Sequence, residues 1–169
     1  EPLGIASEIV RGLDWPDIEE TGNTLEDNAL LKARAVMAAV GLPAVADDTG
    51  LEVLALEGRP GVNTARFAGL EASYSDNVAL LLEEMADITD RRAKFRTVVA
   101  LASPDGSEVV AEGAVDGLIT RHRRGERGFG YDPLFEVSGR TLAEMSLDEK
   151  NGLSHRARAW RALAAKLGR

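Results

Sequence analysis

Segments with helical periodicity and segments with strand periodicity alternate along this chain, and this alternation limits the folds open to it. Residues 93–101 alternate apolar and charged side chains as a half-buried strand does, and Pro104-Asp105-Gly106 predicts a hairpin turn after it. Helices are predicted to begin after Thr24, near Ser73 or Ser75, after Ser146 and after Ser154, with strands at 44–46, 51–56, 93–101 and 108–115. We therefore predict an α/β fold, a mixed sheet flanked by helices.

Length and charge exclude several classes of protein. The 169 residues predict a single domain over 1–169. A net charge of −8 argues against nucleic acid as a partner, and no apolar run approaches the ~20 residues of a membrane span. The chain has no cysteine, which excludes disulfides and fits a cytoplasmic location. Because it opens at Glu1 with no Met, we expect it to begin inside a longer natural protein.

Two pairs of acidic residues are the first candidates for chemistry. Glu26 and Asp27 lie in the first turn of a predicted helix, where carboxylates favour the helix dipole and Asp27 matches a capping box with Thr24. Asp47 and Asp48 precede Thr49-Gly50, and aspartates before Thr-Gly are common in turns. Mg²⁺ takes one or two protein carboxylates, so Asp27 and Asp48 would suffice to hold it. The residues alone leave both interpretations open.

A glycine-rich loop over 121–133 is the second candidate. Its basic beginning is typical of a solvated loop. Phe129 and Tyr131 are set among glycines, which suits a core poorly and lets the backbone approach a ligand. We predict that these two rings can stack on a flat ring, with Arg and Lys nearby for phosphates.

The third candidate lies around the start of the last predicted helix. Ser154 resembles an N-cap, which puts His155 and Arg156 in the first turn. A helix N-terminus disfavours cations there by roughly 0.3–1 kcal/mol each. The position of Arg156 is therefore explained if an anion docks on the helix start, although a solvated Arg and a surface His are the alternative. A nucleoside polyphosphate with Mg²⁺ would fit the acidic and the basic clusters together.

The motifs together resemble one enzyme family, the inosine/xanthosine triphosphate pyrophosphatases, or non-canonical purine nucleoside triphosphatases. They occur in family order and cover nearly the whole chain. The matching stretches are 20–33 (ETGNTLEDNALLKA), 42–53 (LPAVADDTGLEV), 60–62 (PGV), 65–69 (ARFAG), 128–133 (GFGYDP), 149–151 (EKN) and 154–156 (SHR).

This resemblance implies an elongated two-lobed fold with a central substrate cleft, a homodimer, and Mg²⁺-dependent hydrolysis of ITP, dITP or XTP to the monophosphate and pyrophosphate. Water would attack the α-phosphorus. By position, Asp48 would be the base and a Mg²⁺ ligand, Asp27 a second ligand, and Thr49 a substrate contact. The residues implied to bind the base and the nearby phosphate are Phe129, Gly130, Tyr131, Asp132, Lys150, His155 and Arg156.

Two departures from the family pattern bear on this function. The N-terminal strand and its phosphate-binding loop are expected to be lacking, and Arg127 stands where glycine is common. Two alternatives therefore stay open. One is another Mg²⁺-dependent nucleotide diphosphohydrolase, for example one that acts on dUTP, and the other is a nucleotide-binding module without turnover.

Overall fold

The computed structural model describes residues 4–5, 8, 10, 12–15 and 17–168. The helices are α1 (Leu25–Val40), α2 (Tyr74–Glu84), α3 (Leu147–Leu153) and α4 (His155–Lys166). The strands are β1 (Ala44–Val53), β2 (Pro60–Gly61), β3 (Arg92–Ala102), β4 (Glu108–Ile119), β5 (Phe135–Val137) and β6 (Arg140–Thr141). They form a six-stranded sheet in the order β2-β1-β3-β4-β5-β6, in which β1–β2, β4–β5 and β5–β6 pair antiparallel. The predicted α/β fold is confirmed.

The helices begin where their capping residues predict. The Thr24 hydroxyl accepts a hydrogen bond from the Asp27 backbone nitrogen at 3.0 Å, and Gly41 ends α1 in the left-handed conformation. Ser73 with Asp76, and Ser146 with Glu149, form reciprocal capping boxes at α2 and α3. Local hydrogen bonds thus satisfy backbone donors that have no partner inside a helix.

The prediction of two short strands around 47–50 is wrong. A single strand, β1, runs from Ala44 to Val53 through both aspartates. Successive residues of a strand point to opposite faces, so Asp47 and Asp48 face different surroundings. The predicted strand at 108–115 is also longer, since β4 continues to Ile119.

The described chain divides into two compact units. The first comprises Glu1–Thr49, Thr97–Ala114 and His155–Arg169, and the second comprises Gly50–Arg96 and Val115–Ser154. A core of Val99, Ala111, Ala159 and Leu163 is buried in the first unit. The second has a larger core, whose fully buried side chains include Leu51, Val53, Leu81, Met85, Leu134 and Phe135.

The single domain over 1–169 and the central cleft stay predictions. None of the helices in the described ranges combines the length and apolar character that a membrane crossing requires.

Candidate active site

A buried carboxylate on β1 is the centre of the first unit's polar cluster. Asp48 is 9% exposed, and its two oxygens meet two side chains of α1. The amide of Asn28 donates to Oδ2 at 3.2 Å, and the Lys32 ammonium donates to Oδ1 at 3.1 Å. Asn28 and Lys32 are four residues apart and therefore share one face of the helix. Helix periodicity thus aims both donors at the same carboxylate.

A second carboxylate shares this lysine. Lys32 Nζ lies 2.6 Å from Glu20 Oε1, so Glu20 and Asp48 converge on one ammonium. Burial, the largest influence, raises the pKa of Asp48, and Lys32 only partly offsets it. Burial also lowers the pKa of Lys32, but its hydrogen bonds and charge interactions with Glu20 and Asp48 together raise it. The cluster therefore holds a firmly charged lysine beside an aspartate that binds protons more readily than an exposed one.

Asp47, the neighbour of Asp48 in β1, explains why the cation Arg156 lies at the start of α4. Arg156 Nε donates to Asp47 Oδ2 at 2.7 Å. The sequence predicted an anion near the start of this helix, and the structure supplies a carboxylate of the chain itself. This contact also gives Asp47 a structural role.

A chain of hydrogen bonds joins β1 to α4 through β3. The Thr49 and Thr97 hydroxyl oxygens are 2.7 Å apart, and Thr97 Oγ1 is 2.6 Å from Nδ1 of His155. Thr97 is fully buried and His155 is 9% exposed. Asp48, Thr49, His155 and Arg156, all predicted site residues, therefore lie in one unit and are joined by these contacts and by adjacency in the chain.

Close packing of β4 on α4 fixes the position of His155. A Cβ added at Gly113 would overlap the backbone nitrogen of Ala159 and the backbone oxygen of His155. We expect Gly113→Ala to lower the free energy of unfolding by about 1–3 kcal/mol, because neither atom can move without the helix. Urea unfolding measures this change.

The matched control is Gly152→Ala, since a Cβ at Gly152 in α3 meets nothing within 4 Å. Alanine at a helical glycine is expected to be neutral or to stabilise by up to about 1 kcal/mol. Equal unfolding free energies for the two variants would contradict the close approach at Gly113.

The glycine-rich loop of the second unit is organised by Asp132. This carboxylate is 4% exposed, and its Oδ2 accepts hydrogen bonds from the Phe129 backbone nitrogen at 2.9 Å and from Lys150 Nζ at 2.5 Å. Lys150 Nζ also lies 5.0 Å from the centre of the Phe129 ring. Phe129, Asp132 and Lys150, predicted to act together, are therefore in mutual contact, and Gly130 lies between them in the chain.

The two aromatic side chains of this loop have different surroundings. Phe129 is 58% exposed and lies beside Tyr74, as an accessible stacking surface would. The prediction that Tyr131 offers a second accessible ring is wrong, because Tyr131 packs in the core of the second unit. Its hydroxyl donates to the Thr64 backbone oxygen at 3.1 Å, and burial raises its pKa. A contact between Tyr131 and substrate stays a prediction.

Four residues of the first unit's hydrogen-bond network were not among the sequence-predicted site residues. They are Glu20, Asn28, Lys32 and Thr97, each in contact with a predicted residue or one contact away. The spacing of Asn28 and Lys32 on one helical face was an available signal for Lys32.

Asp27 is exposed and acts through its backbone as the cap partner of Thr24, so its role as a metal ligand stays a prediction.

Comparison with known proteins finds a family and relatives that cover most of this chain. The Ham1 family profile matches residues 3–166. The dITP/XTP pyrophosphatase of Elusimicrobium minutum is 50% identical over 161 residues, which cover 91% of this chain and 82% of that protein. The dITP/XTP pyrophosphatase of Deinococcus radiodurans is 51% identical over 169 residues, covering 99% and 83%.

Solved structures agree with the sequence comparison. The Staphylococcus aureus Ham1 protein superposes with a TM-score of 0.86 at 44% identity, covering 90% of this chain and 80% of that one. A dITP/XTP pyrophosphatase from Mycobacterium abscessus gives a TM-score of 0.78 at 46% identity, covering 92% and 81%. A profile match over nearly the whole length and relatives at half identity lead to one conclusion: this chain belongs to the Ham1 family.

Proposed function

We propose that this chain hydrolyses the 6-oxo purine nucleoside triphosphates ITP, dITP and XTP to the monophosphate and pyrophosphate. The observation that carries the proposal is the place of buried Asp48 in β1, between two residues that lead to α4 within one unit. Asp47 before it holds Arg156, and Thr49 after it reaches His155 through Thr97. Relatives at about 50% identity, named dITP/XTP pyrophosphatases, support the substrate class.

Asp48 has the properties of a general base for the attacking water. A base works best when its pKa lies near the working pH, and burial raises the pKa of Asp48 in that direction. Lys32 and Asn28 fix the orientation of its two oxygens. Asp48 would take a proton from water as the water oxygen bonds to the α-phosphorus and pyrophosphate leaves.

Mg²⁺ is part of the proposal, and the donor chemistry of the first unit suits it. No group of three metal-ligating side chains occurs among the described residues, but Mg²⁺ binds through one or two carboxylates plus waters and phosphates. Asp48 would hold the ion, with Asp27 as the ligand implied by sequence. Glu20 is a further carboxylate, placed beside Asp48 by their shared contact with Lys32. When bound, Mg²⁺ would offset the negative charge of the phosphates.

Recognition of the base follows from hydrogen-bond polarity. A 6-oxo group accepts a hydrogen bond, whereas the 6-amino group of adenine donates one. Donors at His155 or Arg156 would therefore pair with the first and leave the second unpaired, which is costly in a buried site. Thr49 would contact the substrate.

The exposed ring of Phe129, with Lys150 beside it, would stack on the purine. Gly130, Tyr131 and Asp132 complete this predicted base-binding loop. A homodimer, implied by the resemblance, and a cytoplasmic location, which the absence of cysteine fits, also belong to the proposal.

Product analysis tests the function directly. We expect ITP and XTP with Mg²⁺ to yield the monophosphate and pyrophosphate, and a chelator to stop the reaction. ATP, with its 6-amino group, is expected to react at least about 100-fold more slowly in kcat/KM. Inert ITP with turnover of dUTP would indicate a different diphosphohydrolase, and ITP binding without turnover would indicate a binding module. Either result contradicts the proposal.

A further inference from the structure

The hydroxyl of Thr97 occupies a position that no assigned role explains. Thr97 lies in β3, is fully buried, and contacts Thr49 on one side and His155 on the other. Both heavy-atom distances, 2.7 Å and 2.6 Å, are those of well-formed hydrogen bonds. The side chain therefore serves two neighbours rather than packing alone.

A hydroxyl has one proton, so Thr97 can donate to only one of its two neighbours. Accepting from both would leave its own buried proton unpaired, and the chain of hydrogen bonds therefore has a direction. In one direction Thr49 donates to Thr97, and Thr97 donates to Nδ1 of His155. In the other, Nδ1–H donates to Thr97, and Thr97 donates to Thr49. The two directions correspond to opposite tautomers of a neutral imidazole ring.

We propose that Thr97 is a positioning residue that donates to Nδ1 of His155, so that the neutral ring carries its proton on Nε2. This direction places both hydroxyl protons on acceptors inside the unit. The opposite direction leaves the Thr49 proton without an acceptor among the described residues. Thr49 is half-buried, so in that direction its proton would turn to solvent, whereas the first arrangement pairs both hydroxyl protons within the unit.

The surroundings of His155 support a neutral ring. It is the first residue of α4, where the helix dipole disfavours a cation. Arg156, the next residue, adds a positive charge that Asp47 offsets, so the helix dipole is the main influence. A neutral imidazole has one N–H, and the nitrogen that carries it depends on the hydrogen bond made by the other nitrogen.

This tautomer has a consequence for specificity, which rests on the proposed function. With its proton on Nε2, the ring can donate from that atom and cannot accept there. A donor suits the 6-oxo group of hypoxanthine or xanthine and opposes the 6-amino group of adenine. Thr97, without touching the nucleotide, would thereby contribute to the choice of base.

The tautomer can be read without any substrate. The chain has two histidines, so His122→Gln leaves His155 as the single imidazole. A long-range ¹H–¹⁵N correlation spectrum of this variant, recorded at about pH 8 where a typical imidazole is neutral, separates protonated from unprotonated ring nitrogens. We expect Nδ1 to be unprotonated and Nε2 protonated. A protonated Nδ1 would overturn the proposal, whatever the activity of the protein.

Two substitutions extend the test to specificity. Thr97→Val keeps the shape and removes the hydroxyl, and Thr97→Ser keeps the hydroxyl. We expect the ratio of kcat/KM for ITP over ATP to fall about tenfold in the valine variant, the size of one hydrogen bond. The serine variant should stay within about threefold of the parent. An unchanged ratio in folded Thr97→Val would refute the specificity role. Should that variant not fold, the spectrum of His122→Gln still decides the tautomer.

Discussion

Asp48→Asn is expected to lower kcat for ITP hydrolysis by about 10²–10⁴-fold, because the amide cannot accept the proton of the attacking water. Activity should be measured across a range of Mg²⁺ concentrations, since the same carboxylate is a proposed metal ligand. A deficit that high Mg²⁺ restores would assign Asp48 to metal binding alone. A loss of less than tenfold at saturating Mg²⁺ would remove Asp48 as the base.

The same variant should remain folded, which separates chemistry from stability. A pKa raised by folding means that ionised Asp48 is less favourable in the folded chain than in the unfolded one. Ionisation of Asp48 therefore lowers the free energy of unfolding as pH rises from the pKa of Asp48 in the unfolded chain to its pKa in the folded chain. At neutral pH with chelator present, the loss of a buried charge is offset by the loss of one acceptor for Asn28 or Lys32. We therefore expect Asp48→Asn to stay folded, with a free energy of unfolding within about 2 kcal/mol of the parent. Asp47→Asn is the matched neighbour, and we expect it to lower kcat by less than tenfold.

Gly128→Ala is expected to lower the free energy of unfolding by about 2–4 kcal/mol. Gly128 has a φ of +78°, and a Cβ there would overlap Oδ2 of Asp132. That oxygen accepts the hydrogen bonds from the Phe129 backbone and from Lys150, so moving it disturbs the whole loop. Chemical denaturation gives the free energy, and a rise in KM for ITP is the expected kinetic effect.

Gly139→Ala is the control for backbone strain. Gly139 has a φ of +84°, but a Cβ at that position meets nothing within 4 Å. We expect Gly139→Ala to lower the free energy of unfolding by about 1 kcal/mol, because only the left-handed conformation opposes alanine there. Equal losses of unfolding free energy in Gly128→Ala and Gly139→Ala would contradict this account, because they would show that the Asp132 carboxylate moves aside freely.

Local signals accounted for most of the fold. Capping residues such as Ser73 and Ser146 act within three residues of themselves, so the starts of α2 and α3 follow from the sequence. The hairpin turn at 104–106 is equally local, and the Ser103 backbone nitrogen donates to the Ser107 oxygen at 3.0 Å. These contacts need no knowledge of the rest of the chain.

The failures came where distant partners decide the structure. Asp47 and Asp48 resemble turn residues, yet β1 runs through both of them. Asp47 meets Arg156 across 109 positions of sequence, and Asp48 meets Lys32 across 16. Tyr131 similarly resembles an exposed loop aromatic, and its bond to Thr64 spans 67 positions. No local pattern reports such pairs.

The candidate site was predictable as a set of residues but not as a network. The residue patterns alone indicated Asp48, His155 and Arg156, and the family resemblance added Thr49 and the roles of all four. Their connection through Thr97 depends on β3 lying beside β1 in the sheet, which the sequence did not predict. Lys32, likewise, gains its importance from a strand that the prediction had divided.

The position of bond cleavage tests the central claim most directly. Hydrolysis of ITP in ¹⁸O-labelled water, followed by mass spectrometry of the products, identifies the phosphorus that water attacks. Attack at the α-phosphorus predicts one labelled oxygen in IMP and none in pyrophosphate. Label in pyrophosphate, or release of labelled orthophosphate with IDP, would contradict the proposed reaction.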